Sequence, residues 1–220
     1  EQAFTGGSDF LLKLNGNRYE VSGHLGLSYV AGDSAAIARV QTASAHYFQR
    51  PDQDHVTFDP SRTSLFGTSA SVQARKIEGE HWLWGVGVWG DSPNFELNDV
   101  GVIRQADDIA TWGNITYRET NPGRTFRNYS VNLSTQNGFN FGGVHKQARF
   151  NLSANSQLWN YWRTNVRVAY NAPVQNDRLT RGGPLMGQPA WGSVNARLAN
   201  NFTSSTRWDV SFMWGNLNQG

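Results

Sequence analysis

Gln147-Ala148-Arg149-Phe150-Asn151-Leu152-Ser153-Ala154-Asn155 decides how this chain folds. Odd positions carry hydrogen-bonding side chains and even positions carry apolar ones. A period of two belongs to a β-strand whose two faces meet different surroundings. The alternation continues almost unbroken to Trp214, and its polar side uses Asn, Ser, Gln, Thr and Arg rather than Lys and Glu. The period alone does not say which face meets which solvent.

Working outward, the same pattern predicts ten strands. The first runs roughly from Asp9 to Leu14 and is weakly patterned, and the Asn15-Gly16-Asn17 turn follows it. The second, Arg18 to Val30, sets Tyr19, Val21, Leu25, Leu27 and Tyr29 against Glu20, Ser22, His24 and Ser28. Later strands begin near Leu65, Trp82, Ile109 and Tyr129, then come the opening stretch and strands around Val166, Val194 and Val210. Connections near 16, 79, 122, 159 and 203 are short. Those at 31–62, 90–108 and 171–189 are long, and 137–143 is intermediate. Short turns at one end and long loops at the other are the layout of an outer-membrane β-barrel.

Composition narrows the function classes. Hydrophobic residues make up 38% and charged residues 16%, so small polar residues rather than charges fill the remainder. With 9 Trp, 7 Tyr and 12 Phe the chain is too aromatic to be disordered. Net charge is +2 with no basic run, which argues against a nucleic-acid partner. The absence of Cys removes disulfides and thiolate metal sites. No stretch reaches the ~20 apolar residues of a membrane helix. Glu1-Gln2-Ala3-Phe4 lacks the regions of a signal peptide, so the chain reads as mature or as a piece of something longer.

Two surroundings fit the alternation. In a soluble sandwich the apolar face is internal, and Trp84, Val86, Phe150 and Trp162 share a core. In a membrane barrel that face meets lipid and the polar face lines the lumen. Three features favour the barrel. Lys and Glu, which normally solubilise exposed strands, are scarce. The strands are long and the loop lengths alternate. Tyr19 and Tyr29, and Trp162 and Tyr170, sit near the two ends of apolar faces. At ~3.3 Å per residue and a ~45° tilt these pairs span roughly 19 to 23 Å, near the ~25 Å band between aromatic girdles. The expected fold is therefore an all-β, antiparallel, up-and-down transmembrane β-barrel domain of about ten strands. Because the chain opens in irregular sequence and stops at Gln219-Gly220 just after a strand, a segment of a larger barrel is expected.

Several stretches carry a resemblance. They are Tyr47-Phe48-Gln49-Arg50-Pro51-Asp52, Asp59-Pro60-Ser61-Arg62-Thr63-Ser64-Leu65 and Glu80-His81-Trp82. Phe95-Glu96-Leu97-Asn98-Asp99-Val100-Gly101 and Asp177-Arg178-Leu179-Thr180-Arg181-Gly182-Gly183-Pro184-Leu185-Met186 complete the set. Together they resemble a family of uncharacterised bacterial outer-membrane proteins. In that family an N-terminal domain similar to family-nine carbohydrate-binding modules precedes a large barrel. The resemblance covers nearly the whole chain and implies an internal part of the barrel, without the sugar-binding module. It carries no catalytic residues.

Candidate sites follow from the polar face. Arg75, Arg118, Arg149, Arg163, Arg167 and Arg197 all fall on it, with few acids beside them (Glu20, Asp209). A cation-lined, amide-rich wall favours anions or polyhydroxylated solutes. The plain alternative pairs these arginines with acids from loops or further strands. In the 171–189 loop, Asp177, Arg178 and Arg181 either recognise an anionic or sugar ligand or simply brace a tight loop in which Asp177 pairs with an arginine. Asp33 or Ser34 caps a short helix within Ser34 to Tyr47, placed to plug the lumen or cover the external rim; the alternative is an ordered loop. Asp52-Gln53-Asp54-His55 lacks the glycine and distal glutamate of a calcium loop, and the five histidines have no metal spacing, so no metal or other cofactor is expected. No acid-base pair or nucleophile is placed, so an enzyme is not expected. The functional expectation is a bacterial outer-membrane protein that passes or binds a polar solute, with a glycan as the candidate the resemblance suggests. An anchor for a surface sugar-binding module, and a secreted sandwich, are the alternatives.

Overall fold

Asn15, Gly16 and Asn17 adopt φ values of 51°, 65° and 69°, the left-handed backbone that Asn and Gly tolerate, and they reverse the chain between its first two strands. The computed structural model describes residues 2–97, 101–201 and 203–217. Asn98-Asp99-Val100 and Gln219-Gly220 from the stretches quoted above lie outside them.

The ten strands of the main sheet are β1 (Gln2–Leu14), β2 (Tyr19–Ala31), β3 (Ser64–Lys76), β4 (Trp82–Asp91), β5 (Asp108–Glu119), β6 (Phe126–Phe139), β7 (His145–Leu158), β8 (Arg163–Asn171), β11 (Trp191–Ala199) and β12 (Asp209–Leu217). A two-stranded hairpin, β9 (Val174–Asn176) and β10 (Met186–Gln188), lies between β8 and β11. Each strand of the large sheet pairs antiparallel with the next in the order β1-β2-β3-β4-β5-β6-β7-β8-β11-β12. The up-and-down meander is as expected. Closure is not found among the described residues, where the sheet is open with β1 and β12 at its edges.

Two further readings are corrected. β1 starts at Gln2 rather than near Asp9, because pairing with β2 along its whole length supplies the order that its own weak pattern does not. The stretch read as a plain loop at 171–189 contains β9 and β10, three residues each and too short to leave a periodic signal. The helix expected after Ala31 is α1 (Ser34–Thr42), and Asp33 caps it by accepting the Ala36 N–H at 2.7 Å.

Register keeps every strand's apolar side on one face. Leu133 pairs with Leu152, Leu152 with Val168, Val168 with Val194 and Val194 with Trp214. Nothing among the described residues covers this face. Val86, Phe150 and Leu152 are 51%, 45% and 46% exposed, and Trp84, Val131, Leu133, Val168 and Phe212 are exposed too. Trp162 is half-buried and stacks edge-on against Trp208 at 4.9 Å. The common core that a sandwich requires of Trp84, Val86, Phe150 and Trp162 is thus not formed by this single sheet.

Aromatic rings border the apolar face at its short-turn end. Tyr19 meets Trp84 at 6.3 Å, Trp82 meets Tyr117 at 4.9 Å, Tyr117 meets Tyr129 at 5.9 Å, and Phe126 meets Tyr129 at 5.7 Å. At the long-loop end Phe4 meets Tyr29 at 6.5 Å, with Phe66 and Tyr170 exposed on the same face.

The buried apolar residues gather instead at the long-loop end. Ile37 of α1, Phe48 and Leu65 form the one apolar cluster among the described residues, with Val30, Val40, Val56 and Phe58 packed around it. The second long loop presses onto β3 so closely that a Cβ at Gly67 would strike the Phe95 backbone.

Candidate functional site

Four connections meet at this end: 32–63, 92–107, 140–144 and 172–190. Arg50, from the first, is their junction. Its Nη1 donates to Asp177 Oδ2 at 2.6 Å and its Nη2 to Asp107 Oδ2 at 2.7 Å, while Nε donates to Gln53 Oε1 at 2.7 Å. The three charged side chains are essentially buried, with exposures of 2% or less. A planar guanidinium can hold two carboxylates and an amide at once in fixed directions, which an ammonium cannot.

Each carboxylate is bound further. Asp107 accepts the Phe141 N–H at 2.9 Å and contacts His55 Nε2 at 2.9 Å. Asp177 accepts from Asn140 Nδ2 at 3.3 Å. Lys146 sits against Asp108 at 2.6 Å and donates to the Asp107 carbonyl at 3.1 Å. Arg178 donates to the carbonyls of Ser44, Ala45 and Ala106 at 2.8, 3.0 and 2.6 Å, tying the fourth loop to the first two. His46, fully buried, meets the Pro93 carbonyl at 2.8 Å and Glu96 Oε2 at 2.9 Å. Tyr47, Asp107 and Arg181 hold left-handed backbone (φ 52°, 57° and 54°), strain that the surrounding bonds sustain.

Burial works to raise the pKa of Asp107, but the bonds from Phe141, His55 and Arg50 outweigh it and hold the carboxyl below its ordinary value of 3.8. Burial lowers the pKa of Arg178, with Asp177 opposing. With its folded pKa depressed, Asp107 contributes stability above the unfolded value and loses it as pH falls through the folded one. Protection of 140–144, which Asp107 holds through the Phe141 N–H, from hydrogen exchange should therefore hold from pH 7 to 5 and fail only below about pH 4. Loss already between pH 7 and 5 would contradict this assignment.

The loop residues proposed from sequence have distinct fates. Asp177 and Arg178 are committed to the internal bonds just given. Arg181 is exposed beside Gly182, whose φ of 95° lets the chain pass the Gln49 side chain. The polar-face arginines are not gathered at one point. Arg75 lies over the Trp112 ring at 5.2 Å, Arg118 donates to the Gly79 carbonyl at 2.9 Å, and Arg149 donates from Nε to Asn171 Oδ1 at 3.0 Å. Arg163 and Arg197 line one cavity of about 370 Å³ near the short turns, where Arg197 pairs with Asp209 (Nε to Oδ2 2.7 Å). Arg167 is exposed between Ser153 and Asn195 on the same face. Asp52 accepts the Leu185 N–H, and Gln53 and His55 serve the Arg50 junction. No group of three or more potential metal ligands occurs among the described residues.

Sequence reasoning missed Arg50, Asp107, His46 and Glu96 as a set. Arg50 and Glu96 stood inside the quoted stretches, and the described residues of those stretches, Glu80-His81-Trp82 excepted, converge on this cap.

A larger cavity of about 550 Å³ lies between the cap and the polar face. Its floor is sheet, including Trp89, Gly138, Gln147, Arg149 and Trp191, and its roof comes from the second and fourth loops.

Fold and site define a class: an open antiparallel meander with one bare apolar face, one polar face, and a cap of long loops locked by buried charge. The chain belongs to the family described as a domain of unknown function (DUF5916), which it matches over residues 3–219. No curated protein and no solved structure matches it.

Proposed function

We propose that this chain forms most or part of a bacterial outer-membrane β-barrel whose apolar face meets lipid and whose polar face binds or passes a polar solute. The observation that carries this reading is the uncovered apolar face, continuous over ten strands and bordered by rings at the short-turn end. A contiguous exposed apolar surface of this kind marks an interaction surface, and lipid suits one that is flanked by aromatics. In lipid the edges at β1 and β12 must be paired, with each other or with further strands, because hydrocarbon cannot satisfy free backbone groups.

The chain has no Cys, so single cysteines give a background-free test. In outer-membrane vesicles of the full-length protein, Leu179→Cys, in the fourth loop, should react with a membrane-impermeant maleimide. Val86→Cys and Val168→Cys should react only after detergent is added. Equal labelling at all three without detergent would sink the lipid reading.

The locked cap favours a second use of the same barrel, as a non-transporting anchor for a surface sugar-binding module. Planar bilayers separate the two: steady conductance by the inserted barrel supports passage, and insertion without conductance supports the anchor.

A further inference from the structure

The 550 Å³ cavity under the cap lies within the size range of small-ligand sites. Its floor is two cross-strand rows. Trp89 pairs with Ala110, Ala110 with Gly138 and Gly138 with Gln147. Arg149 pairs with Asn171, and Asn171 with Trp191. The rows join on β7, where Gln147 and Arg149 are two apart and so share a face. An indole therefore stands at each end of a floor that is small in the middle and carries amides and a guanidinium beside it. Both indoles are more than a third exposed. At ~4.8 Å per strand, the five intervals from β4 to β11 separate them by roughly 24 Å along the sheet.

Most charged groups around this floor are held by partners within the chain. Lys146 is held by Asp108, Asp177 by Arg50, and Arg178 by three carbonyls. What faces the cavity with bonding capacity to spare is neutral or planar: Gln105, Gln147, Asn176 and Gln188 beside Arg149. Asn171 and Arg178, two residues of the lining, each keep one donor, Nδ2 and Nε, buried out of the cavity's reach and without a hydrogen-bond partner among the described residues. Arg178 Nε is 3.9 Å from Asp177 Oδ1, beyond hydrogen-bond reach.

We infer that this cavity is a binding site for a short neutral oligosaccharide. Flat indoles suit the apolar faces of sugar rings, amides and a guanidinium fork suit their hydroxyls, and with Asp108 and Asp177 beside Lys146 and Arg178 the lining offers a strongly anionic ligand only the single guanidinium of Arg149. The site deepens the solute-binding part of the proposed function and rests on it. It does not depend on what covers the apolar face, because floor and roof both belong to this chain.

The test titrates the detergent-solubilised full-length protein by calorimetry with maltotriose, cellotriose and chitotriose, and with trigalacturonate as the charged comparison. At least one neutral trisaccharide should bind saturably, and Trp191→Ala and Gln147→Ala should each weaken one site per chain by at least about tenfold. Trp191→Phe, which keeps a ring, should retain most of the affinity. Each variant is checked for unaltered protection of the 172–190 loop, so that lost binding is not lost folding. Binding by none of the neutral sugars, binding by trigalacturonate alone, or neutral binding undiminished in both alanine variants would overturn the assignment. The cysteine labelling above reports separately on the lipid-facing reading.

Discussion

Arg50→Ala should unlock the loop cap. The substitution leaves Asp107 and Asp177 buried without their shared cation, and breaking a buried pair in this way costs about 3–5 kcal/mol. Asp107 keeps His55 and the Phe141 N–H, and Asp177 keeps Asn140, so neither carboxylate is wholly abandoned. The effect should be local. Amide hydrogen exchange in 140–144 and 172–190 should accelerate by about two to three orders of magnitude. Exchange in the middle of β7 and β8 should stay near its original rate. Arg50→Lys should rescue little, because one ammonium cannot reach two carboxylates and Gln53 in the guanidinium's geometry. The triple change Arg50→Met, Asp107→Asn and Asp177→Asn should recover much of the loss, since it removes the charges together. Unchanged exchange in Arg50→Ala would show that the cap is held by its apolar cluster instead.

The second large effect is expected at Leu152, midway along β7 on the apolar face and 46% exposed. If that face meets lipid, Leu152→Arg should destabilise the inserted protein by about 2–4 kcal/mol, the cost of an arginine at the midplane of a barrel's lipid face. If it meets water, the same change should stay within about 0.5 kcal/mol. Asn155→Arg, three positions along on the opposite face, is the control and should be nearly silent in either case. The measurement is reversible urea unfolding of the complete barrel in lipid vesicles. A silent Leu152→Arg together with intact insertion would remove lipid as the solvent of this face.

The period from Gln147 to Asn155, the Asn15-Gly16-Asn17 turn and the Asp33 cap are local. Each is set by side chains within a few residues, so strands, short turns and α1 were legible directly. The ten-strand meander follows from them, because short turns force sequential antiparallel neighbours. β1 was legible only in part: Gly6 and Gly7 blur its alternation, and β2 orders it from outside.

The sequence by itself thus determined that the chain is a two-faced antiparallel meander with unequal ends, for the physical reason that a period of two and turn chemistry act over neighbouring residues. Only the tertiary structure decided which charges meet. Arg50 and Asp177 are 127 positions apart, and Arg50 and Asp107 are 57 apart, and nothing local in their stretches names the partner. The meeting of Arg50 with Asp177 depends on the accumulated register of the five strand pairings from β3 to β8, which brings every long loop to the same end. The same register set Trp89 and Trp191 at opposite ends of one floor and left the apolar face uncovered.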